Sequence, residues 1–235
     1  MAAHQKNTEA ERIITFLTSL KPDFQLPPGV DIMNPFLNKQ SLGLVKLFYD
    51  KYYSDNHCRH FIFGINPGRW GGGITGIPFT DPQKLQHSCG IENDLSHKQE
   101  LSANFIYSMI ENFGGVTVFY KKFFITAVCP LGFTKNGKNL NYYDDRNLQN
   151  AAEPFIIDCL QRQLSLLKSE DTCFCLGEGD NFRYLNRLNE QYNFFKKIIP
   201  LPHPRWIMQY RRKQLNEYIN LYVNAFRHPE EYSFK

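Results

Sequence analysis

The sequence has no C-x-x-C pair, no long apolar run, no glycine–lysine–serine phosphate loop and no low-complexity segment, and each absence removes a class of protein. Its six cysteines, Cys58, Cys89, Cys129, Cys159, Cys173 and Cys175, are scattered. A structural zinc site or an iron–sulfur cluster needs thiolates at short, repeated spacing, so neither a metal nor a cofactor is expected. Lack of a disulfide-like framework favours a reducing compartment. Cys173 and Cys175 fall two apart in an apolar run and share one face of a strand, which marks them as buried thiols. No stretch approaches the length of a membrane span. The first thirty residues carry Glu9, Glu11 and Arg12 and do not read as a signal peptide, so the expectation is a soluble, cytoplasmic protein. Charge of one sign is not in large excess either. With 27 Lys and Arg against 23 Asp and Glu the net charge is +4, and only the placement of the cations can point to a partner.

What is present is a substantial core. Of 235 residues, 42% are hydrophobic and 15% aromatic, enough for a globular fold without covalent staples. Most Phe and Tyr side chains belong inside, with a few left for stacking. Thr8–Leu20 reads as an amphipathic helix and Ser41–Tyr52 as a second, separated by the Pro-rich Lys21–Pro35. His60–Ile65, Phe123–Val128, Thr172–Leu176 and Lys197–Leu201 read as buried strands. Between and after them, Gln99–Phe113, Asn150–Leu167 with Pro154 in its first turn, a helix opened by Gly177-Glu178-Gly179, and Gln209–Phe226 read as helices. Strands alternating with helices predict an α/β fold with parallel pairing and helices on both faces. No linker divides the chain, so one domain is expected over 1–235, with a helical N-terminal extension to about residue 55.

In such folds ligands bind at the carboxyl ends of the strands, and two loops follow predicted strands there. The first is Gly64-Ile-Asn-Pro-Gly-Arg-Trp-Gly-Gly-Gly-Ile-Thr-Gly-Ile-Pro-Phe79. It lacks the ending of a phosphate loop, and Pro67 and Pro78 argue against a dinucleotide fingerprint, whose glycines open a helix. Asn66 offers a donor and an acceptor in fixed geometry, able to position a water but not to take its proton. Phe79, after Pro78, supplies a rigid stacking face. The second loop is Leu201-Pro-His-Pro-Arg-Trp-Ile-Met-Gln-Tyr-Arg-Arg-Lys213, with His203 confined between two prolines. Arg205, Arg211, Arg212 and Lys213 follow with Trp206, Gln209 and Tyr210 interleaved and no acid among them. A cationic run is usually a solvated helix face; aromatics within it point towards nucleic acid.

The two loops together resemble the active-site motifs of the uracil-DNA glycosylase superfamily, most closely its single-strand-selective monofunctional branch and a related bacterial subgroup. Gly64–Gly68 and Thr75–Phe79 reproduce that branch's first motif, and His203-Pro204 begins its second. Cys129-Pro-Leu131 followed by Gly137-Lys-Asn-Leu140 is similar to its middle segment. The resemblance implies a three-layer αβα sandwich around a central four-stranded parallel sheet. It also implies an enzyme that flips a damaged nucleotide out of DNA and releases the base; a monomer is the default expectation. Asn66 would orient the attacking water and His203 stabilise the departing base. Ile65, Gly68, Phe79 and Ala127 would surround the base. Arg69, Trp70, Gly72, Thr75, Arg205, Trp206, Gln209, Arg211 and Arg212 would contact DNA.

One position departs from the pattern. The family has an asparagine that reads the Watson–Crick edge of uracil two residues before Cys-Pro, and Ala127 stands there. Asn136 or Asn139 from the following loop, or the backbone, would then read the base, or the pocket takes xanthine or hypoxanthine. A non-catalytic module that binds damaged DNA is the alternative from another class.

Overall fold

Capping residues decide where the helices of this computed structural model begin; the structure describes residues 7–96 and 99–232. Thr8 and Glu11 form a reciprocal capping box at the start of α1 (Glu9–Thr18), which buries Ala10, Ile13, Phe16 and Leu17. Strand β1 (Val30–Met33) follows, and Asn38 caps α2 (Lys39–Tyr53). The chain continues through β2 (His60–Gly64), α3 (Gly72–Thr75), α4 (Pro82–His87), α5 (Leu101–Phe113) and α6 (Val116–Lys122). Next come β3 (Phe123–Ala127), β4 (Gly132–Lys135), β5 (Lys138–Leu140) and α7 (Arg146–Leu164). The last elements are β6 (Thr172–Leu176), α8 (Asp180–Tyr192), β7 (Lys197–Leu201), α9 (Pro204–Tyr210) and α10 (Leu215–Arg227).

The four apolar runs form one parallel sheet in the order β3-β2-β6-β7. Every residue of β3 is buried, as are four of five in β2 and β6, because helices cover both faces of the sheet. The result is the expected three-layer αβα sandwich. One continuous hydrophobic cluster runs from Ala10 to Phe226. Phe rings fill much of it: Phe123 lies 4.9 Å from both Phe119 and Phe226 by ring centroid. Five cysteines are buried free thiols and Cys58 is exposed.

The Pro-rich segment expected to be only a connection contains β1. It pairs antiparallel with β4, Val30 opposite Lys135 and Met33 opposite Gly132, and β4 pairs with β5. The first 55 residues are therefore not purely helical, and a small second sheet exists that periodicity does not announce. Helix α7 starts earlier than expected because Asp145 accepts from the Asn147 and Leu148 amides, which places Pro154 in the helix interior instead of the first turn. The expected Gln209–Phe226 helix is broken: α9 starts at Pro204, Arg211 leaves helical geometry (φ −129°), and α10 begins at Leu215.

At the amino end of β2, Arg59 is fully buried. Its guanidinium pairs with Glu9, donates to the Tyr120 carbonyl at 2.8 Å, and reaches Asp55 and the Tyr52 carbonyl. This ties α1, α2 and α6 to the sheet at the end opposite the two loops.

Candidate active site

Strand β2 sits between β3 and β6, and the chain leaves β2 towards β3 on one side but leaves β6 towards β7 on the other. A crevice opens at the carboxyl ends where such connections diverge. Ile65–Gly68 leaves β2 into it. The Asn66 carboxamide is held at both ends: Nδ2 donates to the Leu140 carbonyl at 3.2 Å, and Oδ1 accepts from the Tyr142 amide at 3.1 Å. Both partners lie at or just beyond β5, so the small second sheet fixes the amide's orientation. One N–H and one lone pair remain for a water.

Phe79 adopts φ +53°, a conformation uncommon for an aromatic residue and seen where the surroundings over-determine it. Its ring lies directly over Gly64, where a Cβ would come within 2.7 Å of Cε2. Glycine at position 64 is what lets the ring reach the strand end. The Phe79 and His203 ring centroids are 6.2 Å apart.

His203 caps α9, its Nδ1 accepting from the Arg205 amide at 3.1 Å. An acceptor nitrogen carries no proton, so the neutral ring has its proton on Nε2. Burial, and then the nearby Arg205 charge, pull its pKa down to about 4, so the ring is neutral at pH 7. Among the described residues no partner takes Nε2, which leaves a neutral donor at the crevice.

An open pocket of about 650 Å³ brings together Ile65, Asn66, Gly68, Phe79, His203, Arg205, Trp206 and Gln209. A recess of about 30 Å³ at its side is lined by Gly64, Ile65, Asn66, Gly68, Phe79, Glu100, Thr126 and Ala127. A groove of about 560 Å³ adjoins them, with Arg69, Trp70, Lys138, Asn139 and Arg205 along it. Arg69 stacks on Trp70, its guanidinium 4.4 Å from the ring centroid, and bonds to the Gly137 carbonyl. Arg211 and Arg212 are exposed but outside these linings; Arg211 lies over Trp206 at 4.9 Å.

Two expected DNA contacts need correction. Thr75 is fully buried, and its hydroxyl donates to the Thr80 carbonyl at 2.7 Å while accepting from the Ile77 amide. It shapes the turn towards Phe79 and has no surface to offer DNA. Gly72 is likewise buried, within the lining of the recess. Neither Asn136 nor Asn139 enters that recess. Asn136 is exposed in the β4–β5 turn, and Asn139 accepts from the Arg69 amide at 3.0 Å at the pocket rim.

The sequence reading missed Glu100, Tyr143 and the segment Gly177–Asn181, all of which line the pocket. The rule that sites gather at strand carboxyl ends would have found Gly177–Gly179, which follows β6. Nothing local marks Glu100. Among the described residues one group of possible metal ligands, His228, Glu230 and Glu231, lies exposed near the C terminus and outside the pocket lining.

A family model described as the uracil DNA glycosylase superfamily matches residues 51–227. The chain belongs to this superfamily. Among solved structures, wild-type SMUG2 of Pedobacter heparinus is similar to this glycosylase-family protein at 46% identity and a TM-score of 0.92. That match covers 96% of this chain and 99% of the other, so the resemblance includes the N-terminal elements outside the family model. No curated protein matches. No helix among the described residues is long and apolar enough to cross a membrane.

Proposed function

We propose that this protein is a monofunctional DNA glycosylase that removes uracil, or a related deaminated base, by hydrolysis and leaves an abasic site. The observation that carries this reading is the meeting of the Asn66 amide and the neutral Nε2–H of His203 in one pocket, from loops more than a hundred residues apart. Cleavage of the N-glycosidic bond builds positive charge on the sugar and negative charge on the departing base. A neutral imidazole N–H donates to the base oxygen that gains charge. The Asn66 amide holds the water that attacks C1′. The Phe79 ring gives the extrahelical base a stacking face. The Arg69–Lys138–Arg205 groove fits the phosphates on either side.

The test is alkaline cleavage of single- and double-stranded oligonucleotides that carry one uracil. Wild type is expected to yield strand breaks only after alkali. Asn66→Ala should lose at least about 10²-fold in rate, the scale for removing one preorganised polar group. Near wild-type turnover by that variant would sink the assignment. A second reading, release of xanthine or hypoxanthine, is favoured by Ala127, which lines the recess and has no hydrogen-bonding group on its side chain. Parallel substrates carrying those bases decide between the two.

A further inference from the structure

We propose that Glu100 is a specificity-determining residue, its carboxylate taking the ring N–H of the flipped base through Oε1, where Ala127 offers nothing. This rests on the glycosylase reading above and names the group that reads its substrate. The recess beside Phe79 and Ala127 has three polar side chains in its lining. Asn66 is held at both ends by the Leu140 and Tyr142 backbone. Thr126 donates to buried Gln163. Among these, only the Glu100 carboxylate has no hydrogen-bond partner: its Oε2 is shut in against Gly71, and its Oε1 lies beside Gly68, which lines the recess.

The carboxyl group is held in place from two directions. The Glu100 amide donates to Asp81 Oδ2 at 2.9 Å, which fixes the backbone just before α5. The carboxyl group lies against the glycines of the first motif: a Cβ at Gly68 would come within 2.9 Å of Oε1, and one at Gly71 would overlap Oε2. An acceptor that a bound base desolvates and leaves unmatched costs free energy, and so Oε1 selects for a base with a donor at that place. Uracil, xanthine and hypoxanthine carry a ring N–H beside a carbonyl. Cytosine and adenine carry a bare ring nitrogen at the equivalent position, which would face the carboxylate lone pairs. Burial raises the Glu100 carboxyl to about 7, with Asp81 adding to the rise and Arg205 opposing it. The other charged groups in the same linings are Arg69 and Lys138 in the groove and Glu178 and Asp180 in the pocket. Near neutrality both protonation states are then populated. The acid form adds an O–H donor for the neighbouring carbonyl, so both forms accept lactam bases.

The experiment compares wild type, Glu100→Gln and Glu100→Asp on oligonucleotides with uracil, xanthine or hypoxanthine, by single-turnover cleavage between pH 6 and 8.5. Equilibrium binding of an oligonucleotide with 2′-fluorinated, uncleavable deoxyuridine is measured against the 2′-fluorinated deoxycytidine counterpart. Glu100→Gln is expected to change the ranking of the three bases at a given pH by about tenfold or more. It should also narrow the preference for fluorinated deoxyuridine over deoxycytidine. An equal fall in rate for all three bases, with unchanged KM and unchanged binding preference, would overturn the proposal and move Glu100 to the attacking water. Unchanged ranking and binding in both variants would reduce it to a support for the glycine loop. A wild type that cleaves nothing would remove the glycosylase reading, while the binding preference would still decide the role of Glu100.

Discussion

Asn66 and His203 are immobilised in different ways, and the difference determines how each was legible. His203 is held by its own sequence neighbours: prolines on both sides and the Arg205 amide two residues on. Its place is visible in the sequence; its charge state is not, because that depends on burial. Asn66 is held by Leu140 and Tyr142, more than seventy residues away, so only the structure reveals what orients it. The lowered His203 pKa has a consequence for stability. An unfolded chain protonates this histidine from about pH 6.5 downwards and the folded protein only near 4, so the unfolded state binds more protons in between. Unfolding free energy therefore falls as pH drops through that window, by about 2 kcal/mol from this group between pH 7 and pH 5. Urea unfolding of wild type and His203→Asn at both pH values measures it. The variant should be less sensitive to acid by that amount, and equal sensitivity would mean that the ring is not buried neutral.

At the scale of elements, the four strands of the main sheet were legible because each is a short apolar run bounded by turn residues and buried on both faces. The second sheet was not. Strand β5 is Lys138-Asn139-Leu140, without apolar alternation, and β1 finds its partner a hundred residues later. The β-branched and aromatic stretch Val116–Lys122 folds as helix α6 against its local preference, because packing against α2 and α5 overrides it. Glu9 and Arg59 show the same limit: two charges far apart in sequence become one fully buried pair joining α1 to β2. Breaking such a pair leaves a buried carboxyl without its partner, and burial already raises Glu9 to about 7. Arg59→Met is expected to cost about 3–5 kcal/mol. Arg59 lies at the amino end of β2 and Asn66 past its carboxyl end, about 20 Å apart along an extended strand. The variant should therefore show a lower urea midpoint but, at a temperature where it is folded, near wild-type cleavage. Loss of cleavage in the folded variant would mean that the two ends of β2 are coupled.

For the whole molecule, a net charge of +4 is too small to explain nucleic-acid binding by itself, and placement has to do the rest. Arg69, Lys138 and Arg205 border the groove beside the pocket. Arg211, Arg212 and Lys213 form a second exposed group at the break between α9 and α10, next to Trp206 and the largely exposed Tyr210. On the proposed function, the groove cations would meet the phosphates that flank an extrahelical nucleotide. The second group lies outside the pocket lining and is expected to hold DNA without regard to the base. Each phosphate neutralised on duplex DNA releases condensed counterions and steepens the fall of log K with log salt by about 0.9. Arg211→Ala with Arg212→Ala should flatten that slope by roughly one to two, and weaken uracil-containing and undamaged duplexes alike. Single-turnover cleavage at saturating protein should change little, because neither side chain reaches the pocket. Binding isotherms at several salt concentrations measure the slope. An unchanged slope would make the run at 211–213 an ordinary solvated surface and leave the groove of Arg69, Lys138 and Arg205 to carry the electrostatic contact alone.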